Sequence, residues 1–255
     1  LDTKAERLGR MLNVTADLFF DTEERLLYRQ LFVQRRIKAL DLGCGNGAYM
    51  AKLAACYPHM EWTGVELDEA MYRQALSRQG HNMSFVHGSY ESLTGCGSYD
   101  AVLARLVMLH IPDRLSLARW LAEHTHEGSV VVIVDYDDSR YRPDEKLPLF
   151  SELYAKARHA LRGKRSFLEL KSALLLELRQ AGFVSLGTTL YALREESGQT
   201  RKALAEYMRT ATEYLLDCPI SPERERELND WLTGPEPVMD VPMFGSVFAK
   251  APVVV

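Results

Sequence analysis

Eighteen residues near the start of the chain, IKALDLGCGNGAYMAKLA from Ile37 to Ala54, restrict the fold more than any other stretch. A short apolar run closes on glycines at 43, 45 and 47, and an amphipathic run follows. That order reads as strand, tight turn, helix, and three glycines in five residues let backbone approach a ligand closely. A helix beginning near Ala48 presents unpaired N–H groups to the same place. In an open α/β sheet the carboxyl end of the first strand is the expected ligand crevice. Gly43 to Ala48 also satisfies the G-x-G-x-x-G/A dinucleotide fingerprint. Asp41 conflicts with it, because a carboxylate beside the loop repels a pyrophosphate and favours a cation such as an ammonium.

The rest of the chain alternates strand and helix patterns. Strands are expected at IKALDLG, EWTGVELD, SFVHG, YDAVLARLVML, SVVVIVDYD, FVSLGTTLYALRE (with a glycine interruption) and MFGSVFAKA. Between them lie helices, one from Asp113 to an end at Gly128, another ending at Gly182. Apolar strands alternating with helices indicate a mostly parallel sheet with helices on both faces. The expected fold is therefore α/β, with seven strands. Residues 1–36 read as an N-terminal helical cap, its second segment capped by Asp21 or Thr22 with Glu23 and Glu24 in the first turn. Residues 37–255 form the main domain, with helical insertions at about 140–165 and 195–235.

Composition narrows the function. The chain is 47% hydrophobic and 26% charged, with a formal net charge of −4. That balance argues against a nucleic-acid partner; the one basic run, RGKR at 162–165, reads as a solvated turn or helix end. The cysteines at 44, 56, 96 and 218 lack metal or disulfide spacing, so no metal site is expected. Neither a membrane span nor a signal-peptide pattern is seen. The expectation is a cytoplasmic chain with reduced thiols.

DLGCGNG resembles the D-x-G-x-G-x-G motif of class I S-adenosylmethionine (SAM)-dependent methyltransferases. The resemblance runs over about residues 37–138 and implies a Rossmann-like sheet. SAM carries an ammonium and a sulfonium and no phosphate, which suits Asp41. By this resemblance Asp41, Gly43, Cys44, Gly45 and Gly47 form the cofactor loop. Glu66, nineteen residues after Gly47, takes the ribose hydroxyls, with Leu67 beside it. FVHGSYESL resembles the family's third-strand segment, but Ser89 stands where the family has an acid, so Ser89 and Tyr90 are the expected adenine contacts. Arg105, at the end of the fourth strand, could pair with the SAM carboxylate or with an acid of the protein. No N-P-P-Y or D-P-P-Y tetrapeptide occurs, which argues against the adenine-N6 and glutamine methyltransferase branches.

Methyl transfer from a sulfonium needs alignment more than acid catalysis. A base helps only a nucleophile that starts protonated. His110 and Asp135 are the candidate bases, and Tyr136 could stack on an aromatic or cationic substrate. The insertions carry Tyr141, Phe150, Tyr154, Tyr207 and Tyr214 and read as a lid suited to a small molecule; the same helices could serve a homodimer. The resemblance implies methyl transfer to an N, O or C nucleophile of a metabolite or natural-product intermediate, releasing S-adenosylhomocysteine. An NAD-dependent oxidoreductase and a non-catalytic SAM-binding protein stay open beside it.

Overall fold

The computed structural model describes residues 2–32, 37–93, 97–137, 139–142, 145–162, 170–193, 198–234 and 241–252. Seven strands form one sheet: β1 (Lys38–Leu42), β2 (Glu61–Glu66), β3 (Met83–His87), β4 (Tyr99–Arg105), β5 (Thr125–Tyr136), β6 (Phe183–Leu193) and β7 (Val241–Lys250). Their order is β3-β2-β1-β4-β5-β7-β6. The first five are parallel, and β7 runs antiparallel to both neighbours. This is the expected Rossmann-like sheet.

Alternate strand residues face two cores, as the pleat dictates. In β5, Val132 and Val134 join one core and Val131 and Ile133 the other. The first core packs under α1 (Lys4–Glu23) and α2 (Ala48–Cys56), and takes Ala75 from α3 (Glu69–Leu76). The second is closed by α4 (Arg114–Glu123) and α6 (Leu170–Gln180). Three further helices are α5 (Pro148–Arg162), α7 (Gly198–Leu216) and α8 (Pro222–Thr233). No helix among the described residues is long and apolar enough to cross a membrane.

Two local expectations need correction. Asp21 and Thr22 do not cap a second helix; they lie inside α1, which Thr3 caps through a reciprocal bond with Glu6. Past Glu23 the helix widens into a π segment, Glu24–Tyr28, that keeps Leu27 and Tyr28 buried. The helix after Asp113 stops at Glu123 rather than Gly128. Thr125 already pairs with Tyr99, and Ser129 Oγ holds both the Tyr99 carbonyl and the His126 amide. Tertiary pairing wins there over helical propensity. In β6 the glycine interruption is a register shift between Ser185 and Gly187.

Candidate active site

The chain leaves β1 at Leu42 and turns through Gly43 to Gly47 into α2. Gly43 and Gly45 hold φ of +66° and +57°, and neither has room for a side chain. A Cβ would come within 2.6 Å of Val107 Cγ2 at Gly43 and 2.8 Å of Leu12 Cδ1 at Gly45. Their backbone forms part of the wall of a cavity of about 1820 Å³. Single-ligand pockets run to roughly 300–1,000 Å³, so two molecules can lie side by side here.

Glu66 sits at the tip of β2 and lines the same cavity. Its Oε2 accepts from the Gly45 amide at 2.8 Å and its Oε1 from the Asp68 amide at 2.8 Å. A carboxylate has about four acceptor positions, so it braces the loop and still has capacity for hydroxyl donors. Leu67 is 71% exposed and offers apolar surface beside it. Ser89 and Tyr90 follow β3 on the wall, with Tyr90 packed edge-on against Trp120 at 5.4 Å. His110 and Tyr136 also line the cavity. The Tyr136 hydroxyl is 2.7 Å from that of Tyr207, which ties β5 to α7.

The other candidates do not reach the wall. Arg105 turns away from the cavity to a buried acid, Glu23, with Nε 2.7 Å from Oε2. Of the two expected partners it thus takes the protein's. Cys44 packs in the core against Gly64, where burial pushes its thiol far up. Gly47 is the left-handed N-cap of α2, against Phe85. Asp135 is 1% exposed and accepts from the Tyr136 amide at 2.8 Å, so it faces the protein, not an acceptor.

Asp41 lies beneath the loop, buried, and its carboxylate accepts no hydrogen bond among the described residues. Burial raises its pKa to about 7; Arg105 opposes the shift and Glu66 adds to it. An acid held this way is readied for a cation and penalised beside a phosphate. The glycine cradle, the unsatisfied acid and the Glu66 carboxylate fit a SAM-like ligand. Gly43, Gly45, Glu66, Leu67, Ser89 and Tyr90 line the cavity where such a ligand could lie, and Asp41 is buried beneath them without lining it.

Several cavity residues carried no sequence signal of that role. Met11 and Leu12 of α1 cover the glycine loop, and Asn46 clasps α1 through Gly9 O at 3.1 Å and Asn13 Oδ1 at 2.9 Å. Tyr141, Phe150, Tyr207 and Tyr214 do line the cavity; the side chain of Tyr154 lies outside the described residues. Arg140 and Arg142 line it as well.

Residues 39–128 match the model of a family described as a methyltransferase domain. Among curated proteins, the chain is 33% identical over 107 residues to a malonyl-[acyl-carrier protein] O-methyltransferase of Legionella pneumophila, covering 41% of this chain and 37% of that one. It is 28% identical over 153 residues to a trans-aconitate 2-methyltransferase of Afipia carboxidovorans, covering 56% and 59%. The matched stretches thus span about half or less of the relatives' own lengths in most cases. Among solved structures, a Haemonchus contortus phosphoethanolamine N-methyltransferase 2 in complex with SAM superposes with a TM-score of 0.62 at 16% identity. That match covers 99% of this chain and 61% of the other, and it speaks for the fold. Fold, family model and relatives together support a class I SAM-dependent methyltransferase.

Proposed function

We propose that this class I SAM-dependent methyltransferase chain moves a methyl group from SAM to a small-molecule acceptor in the 1820 Å³ cavity. The observation that carries the reading is Asp41: a buried carboxylate, unsatisfied by the protein, under a glycine loop that holds backbone against the cavity. It favours an ammonium over a pyrophosphate and so favours SAM over NAD.

When bound, SAM supplies an electrophilic methyl on a sulfonium. The chain's own residues do the rest. Gly43 and Gly45 give close backbone approach. Glu66 accepts ribose hydroxyls while bracing the loop, and Leu67 and Tyr90 flank the base. His110, which lines the cavity after β4, would take a proton from an acceptor that starts protonated. Tyr136, latched to Tyr207, sets the distance between sheet and lid. Residues 1–36 act as a cap, and α5, α7 and α8 as a lid that excludes water. The curated relatives are named for different acceptors, malonyl-[acyl-carrier protein] and trans-aconitate among them. The acceptor is therefore not carried over by kinship. A cytoplasmic setting suits the free thiols.

Calorimetry with SAM and with NAD tests the reading. SAM binding with no NAD binding is the expected result, and NAD binding alone would overturn it. Release of S-adenosylhomocysteine in an acceptor screen separates turnover from silent SAM binding.

A further inference from the structure

The cavity carries charge of both signs. Glu66 at the tip of β2, Asp68 just after it and Glu91 after β3 line the cavity, and Asp113 after β4 joins them. Arg140 and Arg142, after β5, and Lys156 of α5 line the cavity too. The sheet order puts β3 and β2 on one side of β1 and β5 on the other, so the loops that carry Asp68 and Glu91 and the loop that carries Arg140 and Arg142 leave the sheet on opposite sides of β1.

Arg140 forms no ion pair among the described residues, and neither does Arg142. Among the described residues Arg142 spends only Nη1, on the carbonyls of Ser139 at 3.2 Å and Tyr141 at 2.8 Å. Lys156 pairs with Glu152 on an exposed helix face, a contact that yields easily to a better partner. The acids nearby are partly committed. Asp137 is buried and held by Lys171 and Ser139. Glu145 is the acid that lines the cavity beside the arginines among the described residues of this loop. The surface between is apolar and aromatic, including Tyr136, Phe150, Tyr207 and Met208.

We propose that the acceptor is an amphipathic anion: a carboxylate or phosphate head meets Arg140 and Arg142, and an apolar or aromatic body lies among Tyr136, Phe150, Tyr207 and Met208. This rests on the methyltransferase reading of the same cavity and adds the acceptor's chemical class to it. Arginine suits this task because its planar fork matches carboxylate and phosphate oxygens two at a time. Among the described residues of this loop an amine would meet one acid, Glu145, against two arginines, and Asp135 does not line the cavity.

The test uses octanoate, octyl phosphate, octanamide and octylamine as probes, titrated by calorimetry with S-adenosylhomocysteine present and absent, at low and high salt. The two anions are expected to bind at least about tenfold more tightly than the amide, as charge-assisted bonds to two arginines predict. Added salt should narrow that gap. Octanoate and octyl phosphate compared with each other tell a carboxylate site from a phosphate site. In Arg140→Gln/Arg142→Gln the preference should vanish while S-adenosylhomocysteine affinity stays the same; both side chains are exposed, so folding is not at risk. Amide or amine binding as tight as octanoate, no binding of either anion, or an unchanged preference in the double variant would overturn the proposal. A matching loss of S-adenosylhomocysteine affinity would assign the arginines to the cofactor and overturn it too. Failure of the native protein to bind SAM or S-adenosylhomocysteine at all counts against the methyltransferase reading instead, and the anion preference is then read without the nucleoside.

Discussion

Arg105 and Glu23 form a buried ion pair between the end of β4 and the last turn of α1, Nε to Oε2 at 2.7 Å, with side chains 8% and 0% exposed. Glu23 also accepts from Tyr49 at 2.5 Å and Tyr191 at 2.8 Å, and the guanidinium stacks 4.1 Å from the Tyr49 ring. One carboxylate therefore joins α1, α2, β4 and β6. The next residue, Leu106, lines the cavity with φ of +55°, a conformation that persists only where its surroundings are firmly fixed.

Removing Glu23 leaves a buried guanidinium without its counter-charge. Glu23→Ala is expected to cost about 3–5 kcal/mol of stability. Tyr191→Phe, which removes one donor, should cost less, about 1–3 kcal/mol. Urea unfolding measures both; a loss under about 1 kcal/mol for Glu23→Ala would show that the pair is not holding the cap.

Asp41 gives a pH signature. Its folded pKa, about 7, lies above the unfolded 3.8, so the native state keeps this proton where the unfolded chain loses it. The group's contribution to stability is full below pH 3.8 and is lost as pH rises through about 7, by a few kcal/mol. A cationic ligand needs the ionised form, so SAM affinity should climb across the same interval. Asp41→Asn should flatten both trends. An affinity that falls from pH 5.5 to 7.5 would point to an anionic ligand in the loop.

Gly47 combines φ of +74° with a Cβ position 2.8 Å from Phe85 Cζ. Gly47→Ala is expected to destabilise the chain by about 1–3 kcal/mol. Trimming the ring with Phe85→Leu should recover only the steric part. Full recovery in the double variant would mean that backbone strain contributes nothing.

Tyr136→Phe and Tyr207→Phe each break the sheet-to-lid hydroxyl pair and leave both rings in place. A raised acceptor KM is expected, with SAM affinity kept. Equal losses in kcat and kcat/KM for Tyr136→Phe alone would instead put its hydroxyl at the reacting atoms.

The sheet and the glycine loop were legible because they rest on local patterns. Strand residues 39–42 are apolar on both faces but for Asp41, and glycines at 43, 45 and 47 are demanded by local φ and close contact. Glu66 was legible for the same reason, at the tip of the next strand. Glu23 was not. In sequence it is a helical acid like Glu24, and its burial comes from Arg105 and Tyr191, which are 82 and 168 residues away. Asp135 misled for the converse reason: its position after an apolar strand resembles a site acid, and only the pleat decides which face it takes. Arg140 and Arg142 drew no reading in the sequence, because nothing local distinguishes a loop arginine and the cavity they line is built from distant elements.

The antiparallel insertion of β7 between β5 and β6 bears on how the chain is made. Strand β6 pairs with β7 and reaches the sheet only through it. During synthesis β6 leaves the ribosome before its partner exists, with Phe183, Tyr191 and Leu193, buried in the folded chain, on a strand that has nowhere to dock. The parallel half can assemble early, while the far edge waits for the C-terminal strand. The nascent chain therefore passes through an interval in which this apolar strand is unsheltered, and aggregation during expression should track the time taken to translate from β6 to β7.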